Sequence, residues 1–399
     1  MGWIGEVKDW SQLIWEDWRF RTRQPGRWQR MTLRDVPVAP IEELLMRWAG
    51  GSVWRGGPQL MPWHPICPGL RHYRGDEPAD DPALRMESAD QWPVESGRLF
   101  WCGPIVHHFG HQLGEFGGRI LLASLDPRPG QLLFLHPDGD QAFDNLTSWQ
   151  QAWIRYLNPT NKPVLIRGGG LRARELVVIP QQQRLGCPPT AHHLRSLGRL
   201  KRSASSVNEV LVLSRSRYAA GRDQPSLRGS VAGEAALDAW MQRQGARIVY
   251  PETLPLEEQL KLLHSTQHLI VAEGSALHAL ELIGRQPDKT VTVIARRPLW
   301  RGMDRALRSR FPQLRWIDAV QALHWLPPAN PRVKGVAQLN WTQLTAELRE
   351  RFGWEATAND ISGLENAANA QLAHLQQTLP IQTQRCTAKD RTALRAGGW

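Results

Sequence analysis

The sequence predicts an α/β protein built as two Rossmann-like domains facing a cleft, and three observations predict it. From about residue 98 to 320, apolar strand-like runs alternate with amphipathic helix patterns. The alternation comes in two tandem series that meet around residues 195–210. In the second series an apolar strand passes through a short polar loop, Glu273-Gly274-Ser275, into a helix pattern. Open parallel sheets hold ligands at such loops, because backbone N–H groups and the positive helix end converge there.

A chain of 399 residues with 41% hydrophobic and 22% charged residues can bury the cores of two ordinary domains. Residues 1–95 form a Trp/Arg-rich extension with no sustained period. Within it Trp10, Ile14 and Trp18 share a helical face, followed by Arg19, Arg21, Arg23 and Arg27. That face either packs on the main body or meets a membrane surface or an acceptor. Pro58 to Pro93 reads as a long loop around the turn-prone run RGDEPADDP. Residues 96–204 form the first Rossmann-like domain: strands RLFWCG, QLLFLH, PVLI and LVVIP, and helices after the His-rich loop and at LTSWQQAWIRYL and AHHLRSLGRL. Residues 205–330 form the second: strands EVLVLS, ARIVY, HLIVA, VTVIA and LRWID alternate with helices GEAALDAWMQRQ, LEEQLKLLHS and ALHALELIG. Residues 331–399 supply the helix QLNWTQLTAELRERFG, a second helix over about 360–378, and a loose tail from Ile381.

The formal net charge is +11 and nearly all of the positive charge is arginine, which suits bidentate contact with phosphate. Nucleotide diphosphates, anionic lipid and acidic glycans all fit that balance. Nucleic acid is not expected as a partner, for no dense Lys/Arg run is interleaved with aromatics. Cys67, Cys102, Cys187 and Cys386 lie far apart with no Cys-x-x-Cys pair, which argues against a cysteine zinc site and fits a reducing compartment. The N-terminal residues show no basic region followed by an apolar run, and no stretch reaches about 18 consecutive apolar residues. The expected location is cytoplasmic, with a peripheral contact at the inner face of the membrane compatible with the basic charge.

Candidate site residues fall in three places. Gly274 permits close backbone approach, Ser275 is placed to cap the following helix, and Glu273 can accept hydrogen bonds from ribose or sugar hydroxyls. Arg215 and Arg217 follow the strand EVLVLS and face one side if the extended backbone continues, where they would neutralise a leaving diphosphate. Arg222 and Arg228 follow in the next loop. His107, His111 and Glu115 stand at i, i+4 spacing, with His108 alongside. A histidine takes a proton near neutral pH, and a carboxylate orients it or is itself the base; the spacing leaves the order of His111 and Glu115 open. Asp138-Gly139-Asp140 is a literal Asp-x-Asp, read as a surface turn over a metal pair, and Gly168-Gly169-Gly170 lacks a helix directly after it and reads as a connection. The 19 Trp residues read as packing residues.

Several of these motifs together resemble the family 61 glycosyltransferases. The counterparts are Ser214-Arg215-Ser216-Arg217, Arg228, Glu234, the strand from Gly245 to Val249, the loop Glu273-Gly274-Ser275-Ala276-Leu277-His278, and the upstream run HHFGHQLGEF. The sequence departs at Glu273, where many members carry His, and at His278, where many carry Thr. The resemblance implies a GT-B fold and transfer of a sugar from a nucleotide-sugar co-substrate to a glycan or lipid-linked glycan acceptor, with inversion and with no required divalent metal. It implies donor binding at Arg215, Arg217, Glu273, Gly274, Ser275, Ala276 and His278, catalysis at His111 and Glu115, and acceptor contacts near His107 and His108. Capsular, O-antigen or exopolysaccharide synthesis is the implied context. Three other readings stand beside it: a nucleotide-sugar epimerase of the same fold, a metal-dependent GT-A enzyme using Asp138 and Asp140, and a non-catalytic polyanion or glycan binder.

Overall fold

The computed structural model describes residues 30–44, 54–60, 67–75, 77–81, 89–200, 207–220, 229–298, 302–328 and 334–386. The Trp10, Ile14 and Trp18 face, the arginines that follow it, Arg222, Arg228 and the tail beyond 386 lie outside the described residues. The chain divides into two compact units. Unit 1 comprises Met1–Arg202 with His278–Pro287 and Met303–Pro312; unit 2 comprises the rest.

The strands of unit 1 are β1 (Met31–Leu44), β2 (Trp54–Pro58), β3 (Tyr73–Arg74), β4 (Glu77–Pro78), β5 (Asp80–Asp81), β6 (Val94–Pro104), β7 (Gln131–Leu135), β8 (Val164–Arg167) and β9 (Leu171–Val178). Seven of them form one mixed sheet in the order β5-β2-β1-β9-β6-β7-β8. The run β9-β6-β7-β8 is parallel. Its central strand β7, QLLFL, is apolar at four consecutive positions that are all fully buried, as a strand covered on both faces must be. The capping box of Thr147 and Gln150 starts the helix Ser148–Leu157, which buries Trp153 and Ile154. Thr190 caps the helix Ala191–Arg199 through the His193 N–H at 3.1 Å.

Two local expectations change in this unit. Part of the segment read as an N-terminal extension is sheet: β1 pairs antiparallel with β9, from Met31 opposite Val178 to Val38 opposite Leu171. The alternation of buried Val36 and Val38 around Pro37 carries the period of two that the surrounding Pro and Arg residues obscure. The supposed long loop from Pro58 to Pro93 likewise contains β3 to β5.

Unit 2 contains β10 (Val207–Leu213), β11 (Arg247–Val249), β12 (Thr266–Ala272), β13 (Thr290–Ile294), β14 (Gln313–Ile317), β15 (Val320–Trp325), β16 (Val336–Leu339) and β17 (Gln382–Arg385). Five strands form a wholly parallel sheet in the order β11-β10-β12-β13-β14. Relabelled from β10 this is 2-1-3-4-5, a doubly wound order whose direction of winding reverses between β10 and β12. The helices Trp341–Phe352 and Ala358–Thr378 pack within unit 2. Leu344, Leu348, Leu364, Ala368 and Leu372 share a buried cluster with Leu237, Trp240 and Met241 of the helix Glu234–Arg243. The tail is not loose throughout, for β17 pairs antiparallel with β15. The fold is mixed α/β with parallel sheets, as the alternating pattern predicts.

Phe134 is fully buried in β7, and Phe134→Ala is expected to cost about 3–5 kcal/mol in urea unfolding. Gln131→Ala at the exposed start of the same strand should stay within about 0.5 kcal/mol. Equal effects of the two would contradict the burial of β7.

Candidate active site

In unit 1 the sequence HHFGHQLGEF folds as a short α-turn, Phe109–His111, that widens into a π-helical turn, Gln112–Phe116. His108 is the N-cap, and its Nδ1 accepts from the His111 N–H at 3.3 Å. The helix begins after His107, so only His111 and Glu115 of the expected face pair, with Nδ1 and Oε2 2.7 Å apart. Glu115 is buried and gathers three more contacts. Arg74 donates Nε to Oε1 at 2.6 Å and Nη2 to Oε2 at 3.0 Å, and His72 Nε2 lies 2.9 Å from Oε1. These donors hold its carboxyl well below the usual carboxylate range against the opposing effect of burial.

The residues that serve Glu115 are themselves fixed. Buried Arg119 donates through Nη2 to the carbonyls of Leu70 at 3.1 Å and Arg71 at 2.8 Å, just before His72. Gln181 accepts from the Tyr73 N–H at 2.8 Å and donates to the Glu115 carbonyl at 3.3 Å. Neither His72 nor Arg74 was singled out from the sequence. Their hint is the alternation in Arg71-His72-Tyr73-Arg74, which sends residues 72 and 74 to one side of a short extended segment.

A second histidine–carboxylate pair lies in the same unit. The segment after β12 is a 3₁₀ helix, Ser275–Leu282, in place of the expected α-helix. Residues three apart eclipse in that geometry, and His278 Nδ1 meets Glu281 Oε2 at 2.5 Å. Glu281 is buried and its Oε1 accepts from Gln183 Nε2 at 2.9 Å, while Gln183 Oε1 accepts from Arg310 Nη2 at 2.5 Å. Gly110 and Gly114 make room for this pair. A Cβ at Gly110 would lie 2.7 Å from His278 Cδ2, and one at Gly114 would overlap the Glu281 carboxylate and the His278 ring. His278 therefore sits with His108 and His111, whereas the sequence motif had grouped it with the donor loop. His108 is held neutral, its pKa lowered to about 4 by burial and by the neighbouring His111 and His278.

His107 points elsewhere. Its Nε2 lies 3.0 Å from Asp138 Oδ2, and its ring centroid is 5.6 Å from that of His136. Asp140 does not join Asp138. It accepts from the N–H groups of Gly168 at 2.7 Å and Gly169 at 3.2 Å, and from Arg167 Nη1 at 2.8 Å. The Asp-x-Asp and the triple glycine are thus one turn-to-turn contact.

In unit 2 the candidate residues collect where the sheet order reverses. Arg215 follows β10 and lies against Gly274 after β12, so closely that any Cβ at residue 274 would overlap its guanidinium. Arg217 diverges, because the helix Ser216–Ala220 begins directly after Arg215 and ends the extended alternation. Its guanidinium carbon lies 4.1 Å from the Tyr250 ring centroid. Glu273 is buried and turned inward: Oε2 accepts from the N–H groups of Arg296 at 3.0 Å and Arg297 at 3.1 Å, and Oε1 pairs with Arg297 Nε. Its carboxylate fastens the turn after β13, which the sequence did not disclose. That turn brings Arg296 to the site, against Gly229. Burial lowers the Arg296 pKa to about 10, so it stays a cation at neutral pH.

Behind Arg215 stand two buried carboxyls one helical turn apart, Glu234 and Asp238. Glu234 Oε1 accepts from the Arg215 N–H at 3.0 Å. Asp238 Oδ2 accepts from the hydroxyls of Ser214 at 2.7 Å and Ser216 at 2.6 Å. Among the described residues, the buried atoms Glu234 Oε2, Asp238 Oδ1 and Arg215 Nε have no hydrogen-bond partner. Burial pushes Glu234 up to about 7. Ser275 and Ala276 begin the 3₁₀ helix beside Gly274.

His111, Glu115, Arg215, Glu234 and Gly274 fall within a recognisable segment. Residues 109–291 match the Glycosyltransferase 61 family. The match covers a little under half of the chain, running from the turn that carries His111 and Glu115 into β13. No curated protein matches the chain. The chain resembles the family 61 glycosyltransferases, as its motifs indicate, and the match supports glycosyl transfer as the activity. No helix among the described residues is long and apolar enough to cross a membrane.

Two stability measurements check this geometry. Glu115→Ala leaves Arg74 and His72 without their carboxylate and is expected to cost about 3–5 kcal/mol at pH 7; a cost below about 1 kcal/mol would mean the cluster is not formed. Glu234 ionises near its ordinary 4.5 in the unfolded chain and near 7 in the folded one. Between those values the folded protein holds the extra proton, so stability falls as pH rises from about 4.5 to 7. Glu234→Gln should flatten that fall, and a stability–pH profile parallel to the native one would exclude Glu234 as its source.

Proposed function

We propose that the protein is an inverting glycosyltransferase of GT-B type that moves a sugar from a nucleotide-sugar donor to a glycan or lipid-linked glycan acceptor. Capsular, O-antigen or exopolysaccharide synthesis is the proposed context, on the cytoplasmic side and peripheral to the membrane. The observation that carries the reading is the Arg215–Gly274 contact at the reversal point of a 2-1-3-4-5 parallel sheet, within a segment matched by the Glycosyltransferase 61 family. The donor diphosphate is met there by Arg215, Arg296 and the backbone of Gly274, Ser275 and Ala276. Arg217, on the Tyr250 ring, faces the nucleoside side.

In the proposed step the acceptor hydroxyl oxygen attacks the anomeric carbon. Its proton passes to His111, and the bond from the anomeric carbon to the phosphate oxygen breaks, its electron pair leaving with the nucleoside diphosphate. Glu115 is the orienter. A carboxylate held ionised by Arg74, His72 and His111 is a poor proton acceptor near neutrality, whereas it fixes the His111 ring and stabilises the imidazolium that forms. The leaving charge is met by arginines, so the step uses no divalent cation and continues in EDTA. A second reading gives the proton to His278, and exposure favours it: the His278 side chain is 14% exposed and that of His111 4%.

A thermal-shift panel of nucleotide sugars identifies the donor, since a ligand at 100 times its dissociation constant adds about 2.7 kcal/mol. Arg215→Ala should abolish that shift. His111→Ala should keep the shift and lower turnover by about 10²–10⁴-fold. Turnover lost in His278→Ala and retained in His111→Ala would transfer the role to His278, and full turnover in both would end the histidine-base reading.

A further inference from the structure

We propose that His107, His136 and Asp138 form a binding site for one divalent transition cation of the Zn²⁺ class, separate from the transfer step. One ligand atom from each of the three lies within 4.8 Å of the other two. The residues come from equivalent places in the fold. His107 follows β6 and His136 and Asp138 follow β7, the neighbouring parallel strand.

The backbone beneath the three is anchored. Ile105 N–H donates to the Leu135 carbonyl at 2.8 Å, and His136 N–H to the Arg167 carbonyl at 2.8 Å. Val106 N–H donates to Gln112 Oε1 at 2.5 Å, and its carbonyl accepts from Gln150 Nε2 at 3.2 Å. Asp138 N–H donates to His136 Nδ1 at 3.2 Å, which ties the turn to the ring.

The donor set and its spacing fit a small borderline cation. Around Zn²⁺, with bonds of about 2.0–2.2 Å to nitrogen and oxygen, neighbouring ligand atoms stand about 3.3 Å apart. The His107–Asp138 pair is already at 3.0 Å. The third ligand atom lies within 4.8 Å of both, so an approach of at most about 1.5 Å reaches that spacing. His107 and Asp138, each with 61% of its side chain exposed, can rotate to meet the buried His136. Two imidazoles with one carboxylate favour Zn²⁺, Co²⁺ or Ni²⁺ over Mg²⁺ and Ca²⁺, which prefer oxygen. The exposed side leaves a coordination position for water. Asp140 is excluded by its commitment to Gly168, Gly169 and Arg167. The site is therefore distinct from the Asp-x-Asp pair the sequence offers. Without a cation the same residues make only an exposed His–Asp contact, which contributes little. With one, the loop leading into His108 and His111 is clamped to the loop after β7.

The test is calorimetric titration of the full chain, free of any polyhistidine tag, with Zn²⁺ alone, and with Co²⁺ to read nitrogen ligation from its visible absorption. We expect one equivalent to bind and the thermal midpoint to rise with it. His107→Ala and Asp138→Asn, both at exposed positions and expected to fold, should each weaken binding at least about 10-fold. Asp140→Asn should bind as the native protein does. His136→Ala, checked for folding by far-ultraviolet circular dichroism, should bind no more tightly than those two. Absence of binding by the native chain would overturn the proposal. So would unchanged affinity in His107→Ala and Asp138→Asn, or loss of binding in Asp140→Asn, which would place the cation on other residues.

Discussion

A carboxylate with no access to water has to be neutralised from inside the protein, and Glu115 sets that demand for unit 1. Four donor contacts from three side chains meet it: two from Arg74, one from His72 and one from His111. Leaving such a group unpaired costs far more than a surface pair gains, so the segment 67–75 cannot sit elsewhere without exposing the deficit. Arg119 and Gln181 then become explicable, since their side chains serve the backbone of residues 70–73 and thereby the two donors. A stretch with only two-residue strands of its own acquires a fixed conformation from one buried charge.

The second pair depends on the first through two missing side chains. Gly110 and Gly114 stand four apart, on one face of the turn that carries His111 and Glu115, and the His278 ring and Glu281 carboxylate occupy the space a Cβ would take. Glu281 needs its own neutralisation, which comes from the Gln183–Arg310 chain and from His278. Arg310 also donates to the Glu281 and Ile283 carbonyls at 2.8 and 3.0 Å, so a single buried guanidinium supports both the carboxylate and the backbone that bears it. Three histidines are thereby gathered beside two buried carboxylates.

The strands and helices after residue 96 were largely legible because their period is carried by runs of consecutive apolar residues, as in QLLFL and HLIVA. β1 was not, because Pro37 and Pro40 break the pattern while Val36, Val38 and Ile41 still face the core. At the sites, spacing found His111 with Glu115 and the strand-end position of Arg215. It missed His72 and Arg74, which reach Glu115 from 43 and 41 residues away, and Gln183 and Arg310, which meet each other across 127 residues. It also gave Glu273 to the ligand, when only the tertiary structure shows Arg296 and Arg297 occupying its oxygens. Alternation was extrapolated past the end of β10, where a helix begins, and Arg217 lies over the Tyr250 ring.

Unit 2 handles buried charge in the opposite way from Glu115. Glu234 and Asp238 have hydroxyls, a backbone N–H and each other for company, and burial raises both pKa values. At neutral pH Glu234 is therefore divided between its neutral and ionised forms, beside cations at Arg215 and Arg296. An anionic diphosphate at Gly274 would favour the neutral form by like-charge repulsion. The vacant Oε2 would then carry a proton and become a hydrogen-bond donor. Under the proposed function this couples donor binding to proton uptake at Glu234. The arginines then remain free to face the phosphates, because the carboxyl behind them no longer competes for their charge.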